Sequence, residues 1–593
     1  MNLSRWAAVA AAVMVSFPAA SAAQSSPAPG YFTAITDRLA RPEPPLPSLP
    51  AAGSMIIDPA FQSAIYRMTD RSTRPARLDR SYRTPSSAHQ HSWSLSGRYF
   101  YVVSTDGTVL PFAFDDATGR ATRVNPSATG EGGLILQFFI EPQFSYLSDN
   151  LIYGSFNGSG ATLRTIDQYD FATGLYTRLM NLDLLAPDLA GTYVGWVGSS
   201  AGPIERIAAF FGGVAQGYHY LAVVFDKNDP TKRRVVNTKT STIDGKPTNI
   251  PLNFSLHGMA IDRSGRYAML YATGADMTGT RKAAPSYLWE IDTGHITEMP
   301  LVSANNGGHD IYGYGTRINQ FCCTTSTTYD GAQWQYRSLD NPFVTRDVIP
   351  VVMTPKLVYV ADHQSWHNAR PDVLVPFITA LYRSSPDPAA WRAWDEEIVG
   401  VQPDPPVGSP GVVWRFAHHR SDVRSDIDPT RPTFWYMPRP SISDDGRWAL
   451  FTSNWEKSLG IDPGGDATAS HRQDVFLVRL QGQAAAPPPP APVPQPEPPP
   501  VIETVTPISV TTATLAGAVR NKAYTATLKA ANPDGAVAWR VTSGTLPPGL
   551  ALNATTGAIS GISDKPGSWT FVVSATDSSH SATRQLSIQV KPK

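Results

Sequence analysis

Histidine, tryptophan and arginine side chains are concentrated in one short segment of the chain. His363 and His367 belong to it, together with Trp366 and Arg370. On an extended strand the two histidines point to one face, so their imidazoles could share a ligand or a metal ion. Tryptophan rings stack on sugar rings, while arginine and histidine bind carboxylates and hydroxyls. The segment therefore predicts a glycan-binding site.

The same residue types suit one particular reaction on a uronic-acid glycan. A β-elimination needs a cation for the carboxylate, a base for the C5 proton and an acid for the leaving oxygen. Histidine titrates near neutrality, so we assign the base to His363 or His309. Arg370 or Arg439 would hold the carboxylate, and Tyr436 would supply the acid. The set predicts a polysaccharide lyase.

Other chemistries find less support in the sequence. A hydrolase needs a facing pair of acids, for which Asp310 and the run from Asp395 to Glu397 are the candidates. That run is more typical of a solvated strand edge. Nucleophile elbows, phosphate loops and cysteine-based metal motifs are absent from the sequence. A divalent metal is compatible with the histidines, although no specific motif indicates one, and no metal ligand is assigned.

A repeated sequence pattern predicts the elements that position these residues. The segments from His91 to Gly97, from His257 to Gly265 and from Pro440 to Gly446 each contain a strand and a glycine turn, with an aromatic-led strand following. An Asp-x-x-Thr-Gly turn recurs at Gly119 and Gly174. The unit of about 60 residues with four short strands is typical of a β-propeller blade.

The spacing predicts seven blades between residues 54 and 480, with the strand from Ala64 to Met68 closing the ring against the last blade. The intervening inner strands are expected to begin near Pro142, Tyr193, Gly308 and His363. Six or eight blades are the alternatives, because long insertions after Pro203 and Ser384 blur the register.

Inner strands of a propeller converge on its central channel, where propellers bind ligands. The histidines at or near their predicted starts are therefore substrate-binding candidates, as are two aromatic or cationic residues of the last blade. The full set of predicted substrate-binding residues is His91, His257, His367, Arg370, Arg439, Trp366 and Trp435. The alternative is that each histidine only hydrogen-bonds one blade to the next and that the tryptophans fill gaps between blades.

The Ser443-Asp-Asp-Gly-Arg447 style of turn resembles that of TolB-like propellers. Across residues 54–480 the chain resembles the oligogalacturonate lyases, seven-bladed polysaccharide lyases of family 22. The resemblance implies lyase activity. In that family a late blade opens with a His-Pro-His-Pro segment that supplies metal ligands. Here the matching stretch runs from Met437 to Pro440 and contains Arg439, so both imidazoles are replaced.

A second folded unit follows a proline-rich linker at residues 481–503, which is expected to act as an extended spacer. Residues 504–593 alternate in the manner of short strands. The motif from Gly544 to Gly561 resembles the cadherin-like, Ig-like repeats of bacterial secreted proteins. This predicts a small β-sandwich that spaces or adheres, and we assign it no catalysis.

The N-terminus predicts export. Residues 1–22 have a positive start, an apolar run and a small-residue cleavage site, typical of a signal peptide. Residues 23–53 are expected to form a proline-rich tail outside the fold. The apolar run is too short for a membrane span. The adjacent pair Cys322 and Cys323 could form a strained disulfide or remain as thiols.

The amino-acid composition limits the classes of partner that the protein is expected to bind. Lys plus Arg and Asp plus Glu both number 49, so the basic surface that nucleic-acid binding needs is missing. We therefore predict an all-β, monomeric, secreted or periplasmic carbohydrate-active protein with a seven-bladed propeller and a small Ig-like β-sandwich, acting on an extracellular or periplasmic glycan. The alternative is a non-catalytic propeller that binds glycan or protein. Convergence of the histidines on one pocket with an arginine and an aromatic plane would favour the enzyme.

Overall fold

Antiparallel strands make up nearly all the regular structure of the protein. Contacts divide the chain into two units, residues 1–486 and 487–593. A short 3-10 helix spans Phe434–Tyr436, and the described residues contain no helix long and apolar enough to cross a membrane. The computed structural model describes residues 31–76, 79–86, 90–124, 132–136, 141–155, 165–182, 185, 193–213, 218–272, 286–299, 310–321, 333–348, 363–382, 391, 393–407, 411–480, 508–533, 535–577 and 581–592.

Seven sheets of four or more strands follow one another in the described part of residues 55–479, and each extends from an inner edge strand outward. Sheet 1 comprises Tyr82–Arg83, Tyr99–Ser104, Val109–Asp115 and Arg120–Arg123. Sheet 2 comprises Gln143–Phe144, Leu151–Gly154, Thr165–Asp170 and Leu175–Asn181. Sheet 3 comprises Tyr193–Ser199, Arg206–Gly213, Tyr218–Asp226, Asp229–Asn237, Thr242–Ile243 and Lys246–Pro247.

The remaining sheets of this unit repeat the same order. Sheet 4 comprises Leu256–Ile261, Tyr267–Ala272, Ser286–Glu290 and His295–Glu298. Sheet 5 comprises Ile311–Tyr312, Thr316–Phe321, Gln333–Ser338 and Arg346–Asp347. Sheet 6 comprises Gln364–Ser365, Phe377–Ala380, Glu397–Val401 and Val413–His418. Sheet 7 comprises Ser441–Ile442, Trp448–Ser453, Asp474–Arg479, Ala64–Arg67 and Met55–Ile57.

Side-chain alternation explains how these sheets pack. In the strand Tyr99–Ser104, Phe100 and Val102 join a core with Trp448 of sheet 7. Tyr99 and Tyr101, on the opposite face, join a core with Phe144 of sheet 2. Because successive side chains of a strand point to opposite faces, one apolar strand supplies two neighbouring cores.

Every pair of consecutive sheets shares such a core, and so do sheets 7 and 1. The described sheets therefore form a closed ring, which is a propeller, and the predicted all-β fold class is confirmed. The predicted closing strand pairs as expected: Ile65 lies opposite Val478, so the N-terminal and C-terminal parts of the unit share sheet 7.

The N-terminal residues differ from the expected tail. Residues 31–53 lie against sheets 6 and 7 rather than outside the fold. Phe32 is 4% exposed and packs edge-on against Trp414, and Ile35 accepts a backbone hydrogen bond from Arg415. The carbonyl of Pro47 accepts from the indole of Trp455. Proline carbonyls still accept hydrogen bonds, so a proline-rich composition did not prevent docking.

The first sheet begins earlier than the repeat predicts. Its inner edge starts at Tyr82, which pairs with Ser104, and continues at Trp93, which bridges to Phe100. The repeat identified only the second part, because it was aligned on the glycine turn at Gly97. His91 consequently lies within the inner edge of the sheet and not at its start.

The C-terminal unit has its own apolar core, built around Trp539, Ile559, Phe571 and Ile588. Its sheets comprise Ala518–Val519, Ser581–Lys591, Gly567–Thr576 and Ala538–Gly544; Ala523–Thr527, Ala558–Ile562 and Leu550–Leu552; and Ser509–Val510 with Ala530–Ala531.

Candidate functional site

A polar pocket lies where the inner strands of sheets 6 and 7 begin. His363 and Gln364 line it from sheet 6, Arg439 and Ser441 line it from sheet 7, and Gln90 lines it from sheet 1. We call it the arginine pocket. Three sheets contribute because inner strands of all blades run side by side along the channel.

Arg439 is the dominant charge of the arginine pocket. Its side chain is 1% exposed, and two of its nitrogens donate to the carbonyls of Phe434 at 2.9 Å and Trp435 at 3.3 Å. Its Nε atom has no hydrogen-bond partner, and no described carboxylate lies within 4.0 Å of the guanidinium. Burial, followed by repulsion from Arg83, lowers the pKa of Arg439 to about 9. The buried cation therefore has no ion-pair partner in the described part of the chain, although the charge of Glu141 acts on it from further away.

The backbone of Arg439 is also unusual. Its φ is +42°, in the left-handed region that non-glycine residues rarely adopt, and it stands between Pro438 and Pro440. Such conformations cost about 1–3 kcal/mol and are concentrated at binding and catalytic sites.

Glu141 is the acid whose charge acts on Arg439, and both of its carboxylate oxygens already accept hydrogen bonds from other residues. Arg83 donates to it at 2.5 Å, and the backbone and hydroxyl of Ser86 donate to its other oxygen. The ring of Trp435, which is half-buried, lies 5.4 Å from the Arg83 guanidinium carbon and 5.8 Å from that of Arg439. The ring of Trp435 therefore lies within cation–π distance of two guanidinium groups.

His363 is 2% exposed and lines the arginine pocket. Its ring meets Phe434 edge to face, with 5.2 Å between centroids. The structure thus brings together three of the predicted site residues, namely His363, Arg439 and Trp435.

Two other predicted histidines meet in a different place. The rings of His91 and His367 are 4.0 Å apart between centroids, and Nδ1 of His367 lies 3.0 Å from Oδ1 of Asp444. Nε2 of His91 lies 3.9 Å from the same oxygen. We call these three residues the His-Asp cluster. It is built one to four residues further along the same segments that line the arginine pocket.

Tyr436 does not present its hydroxyl to the arginine pocket. That hydroxyl donates to Asp426 at 2.5 Å and accepts from the backbone of His471 at 2.8 Å. Burial and the hydrogen bond to Asp426 raise the pKa of Tyr436 well above its usual value. The geometry does not suit the predicted acid, because the proton is already shared with a carboxylate.

Trp366 and Arg370 also lie outside the pocket. The Trp366 side chain is 3% exposed, packs in the core between sheets 5 and 6, and donates to the carbonyl of Val375 at 2.8 Å. Arg370 forms an ion pair with Asp372, 2.7 Å away. Both were predicted to bind substrate because they are close to His363 in the sequence. Proximity in sequence did not reveal that the chain turns after the inner strand of sheet 6.

His257 is exposed, with its ring 6.2 Å from that of Trp196. It therefore does not join the other histidines. The predicted base His309, the pair Cys322 and Cys323, and the signal peptide at residues 1–22 lie outside the described residues.

Sequence reasoning missed Asp444 and Arg263. They occupy matching positions two residues before the turn glycines Gly446 and Gly265. Arg263 lies over the ring of Tyr146, 4.2 Å from its centroid. The alignment of the repeats on their glycines already gives these two side chains equivalent positions, and that equivalence was the signal that could have found them.

The comparisons with known proteins bear on the fold. Residues 500–591 match the family described as "Putative Ig domain", which supports the Ig-like C-terminal unit. We find no curated protein that matches the chain.

Several solved structures are similar to the propeller. An oligogalacturonate lyase in complex with manganese has a TM-score of 0.45 and 11% identity, over 73% of this chain and 97% of its own. An oligogalacturonate lyase from Vibrio parahaemolyticus has a TM-score of 0.43 and 10% identity, over 72% and 96%. The β-propeller domain of the Trilobed protease from Pyrococcus furiosus has a TM-score of 0.35 and 7% identity, over 65% and 93%.

Proposed function

We propose that the propeller is an exported carbohydrate-active domain that binds an acidic glycan in the arginine pocket, with the sugar carboxylate on Arg439. The observation that carries the proposal is the buried guanidinium of Arg439, which has no carboxylate partner among the described residues. Burying an unpaired charge costs several kcal/mol. A carboxylate ligand would offset that cost and would find a donor already held in place.

The surroundings of Arg439 suit a sugar. Phe434 and Trp435 are half-buried, so part of each ring is open for stacking against a pyranose face. The side-chain amides of Gln90 and Gln364 line the same pocket, where they can donate to and accept from hydroxyls. The pocket is little larger than one water molecule, so only the carboxylate of a uronic acid would enter it, and the sugar ring would lie outside against the open part of the aromatic rings.

The finer proposal is cleavage by β-elimination. His363 would remove the C5 proton, the C4–C5 double bond would form, and the C4–O bond would break with its electron pair leaving on oxygen. Arg439 would stabilise the charge that develops on the carboxylate. Since Tyr436 is held by Asp426, the leaving oxygen would take its proton from water.

The alternative is a propeller that binds the glycan without cleaving it. It is favoured by the position of the Tyr436 hydroxyl, which leaves the pocket without the acid that the sequence predicts.

A panel of uronic-acid polysaccharides separates these possibilities. Binding is measured by calorimetry and cleavage by absorbance of the unsaturated product. Arg439→Met should weaken binding by about 100-fold or more, since truncating one partner of a buried charge pair is costly. His363→Ala should abolish product formation and keep binding within about tenfold, because the carboxylate contact remains.

The matched control is His295→Ala, an exposed histidine on the outer strand of sheet 4, which should change neither measurement. Binding that survives Arg439→Met would overturn the pocket assignment. Binding without any product in the unaltered protein would leave the non-catalytic alternative.

A further inference from the structure

The His-Asp cluster is not used by the proposed function, and its central imidazole is unsatisfied. Both ring nitrogens of His91 are buried and have no hydrogen-bond partner among the described residues, and the residue is 2% exposed. A buried polar atom without a partner costs about 1–3 kcal/mol. Nearly all buried polar side chains in proteins are hydrogen-bonded to protein, water or a ligand, so a partner outside the described residues is expected for His91.

We propose that His91, His367 and Asp444 bind a divalent transition-metal ion such as Zn²⁺. One ligand atom from each residue lies within 4.8 Å of the other two. Ligands at about 2.0–2.2 Å from a tetrahedral ion are roughly 3.3–3.6 Å apart. The observed separations of 3.0 Å and 3.9 Å from Oδ1 of Asp444 bracket that range.

The ligand set suits such an ion. Imidazole nitrogens and a carboxylate oxygen are ligands that zinc and its neighbours accept.

The ring of His91 is also held in orientation. Tyr146 stacks on it with 4.7 Å between centroids and 6° between planes, and Arg263 lies over the same tyrosine. Preorganised ligands lose little freedom when the ion binds. The carboxylate side chain of Asp444 is 13% exposed, which leaves the ion a path to the site.

Three protein ligands leave at least one coordination position for water or for an anion, as in catalytic rather than structural zinc sites. The site shares no residue with the arginine pocket, so it goes beyond the proposed function, and either can fail alone.

The test uses the full-length mature chain without a histidine tag, freed of metal by a chelator and titrated with Zn²⁺ or Co²⁺ alone. We expect one ion per chain with a Kd below about 10 µM, a higher melting temperature on binding, and visible Co²⁺ absorption typical of low coordination number. His91→Gln, His367→Gln and Asp444→Asn should each weaken binding by about 100-fold or more and abolish the ion-dependent rise in melting temperature.

His295→Gln is the control for loss of a histidine and should bind like the unaltered protein, because that residue is exposed on sheet 4. Circular dichroism of the metal-free variants identifies any that do not fold, and Asp444→Asn, with the smallest change in shape, then decides. An unaltered protein that binds no ion below about 100 µM would overturn the proposal. So would binding that all folded variants retain.

Discussion

Arg415 and Arg439 are both 1% exposed, yet their surroundings are opposite. Arg415, on the last strand of sheet 6, donates to Glu397 through two nitrogens at 2.8 Å and 2.5 Å and to Asp37 at 2.6 Å. Among the described residues, Arg439, before the first strand of sheet 7, donates to two backbone carbonyls and to no side chain.

This difference distinguishes a buried charge that stabilises the fold from a buried charge that is a candidate for ligand binding. A buried charge with its own counter-charges is part of the fold, because every donor is already used. A buried charge that lacks one is stabilised only when a ligand supplies it, which makes it a candidate for binding. Arg415 ties the N-terminal segment to sheet 6, while Arg439 has no carboxylate partner among the described residues and is the proposed anion-binding residue.

The largest expected effect is at Arg415. Arg415→Met should lower the free energy of unfolding by about 3–5 kcal/mol, since Glu397 would remain as an uncompensated buried charge. Adding Glu397→Leu should restore much of the loss, because no buried charge is then left alone. Urea unfolding followed by tryptophan fluorescence measures both. A single variant as stable as the unaltered protein would remove the basis of the comparison.

Arg439→Met should behave differently under the same measurement. We expect a free energy of unfolding within about 1 kcal/mol of the unaltered protein, or above it, since an uncompensated charge is replaced by an apolar side chain. A loss of about 3 kcal/mol or more would mean that the hydrogen bonds to Phe434 and Trp435 hold the fold, and Arg439 would then resemble Arg415.

A second buried ion pair, His418 with Asp58, extends the comparison to the dependence of stability on pH. Burial would lower the pKa of His418, but the hydrogen bond and charge of Asp58 outweigh it and raise the pKa. Burial likewise opposes the net lowering of the Asp58 pKa by His418. The pair contributes its full stability between about pH 4 and pH 6.5.

Above that window the contribution is lost as pH rises through the raised pKa of His418. Stability should therefore fall as the pH rises from about 6.5 to about 9, and His418→Gln should flatten the profile. The check is urea unfolding across that range. An unchanged slope in the variant would show that another group titrates.

The smallest effect is expected from removing residues 481–593. The propeller and the Ig-like unit have separate cores, so the truncated chain should melt within a few degrees of the full chain and retain the arginine pocket's ligand binding. Scanning calorimetry measures the first and titration the second. A fall of tens of degrees would show that the units depend on each other.

Sequence patterns were most informative where the structure is local. The inner strands of sheets 2, 3, 6 and 7 begin at or within two residues of the predicted positions, since a glycine turn and alternating apolar residues act over short distances. The site was predicted only in part. His363, Arg439 and Trp435 lie together, while Tyr436, Trp366 and Arg370 point elsewhere, because a position near a strand start does not specify what a side chain contacts.

The sequence by itself determined that the chain is all-β, repeat-built and closed by its own N-terminal strand. These properties follow from the alternation of apolar and polar residues in strands and from the turn-forming residues between them. Both patterns can be recognised within a few residues of sequence. Only the tertiary structure decided which charges are paired. Arg83 meets Glu141, His91 meets His367 and Asp444, and Arg439 meets no described carboxylate. Such pairings join residues far apart in the chain, and closure of the ring sets them because it fixes which side chains face each other across the channel.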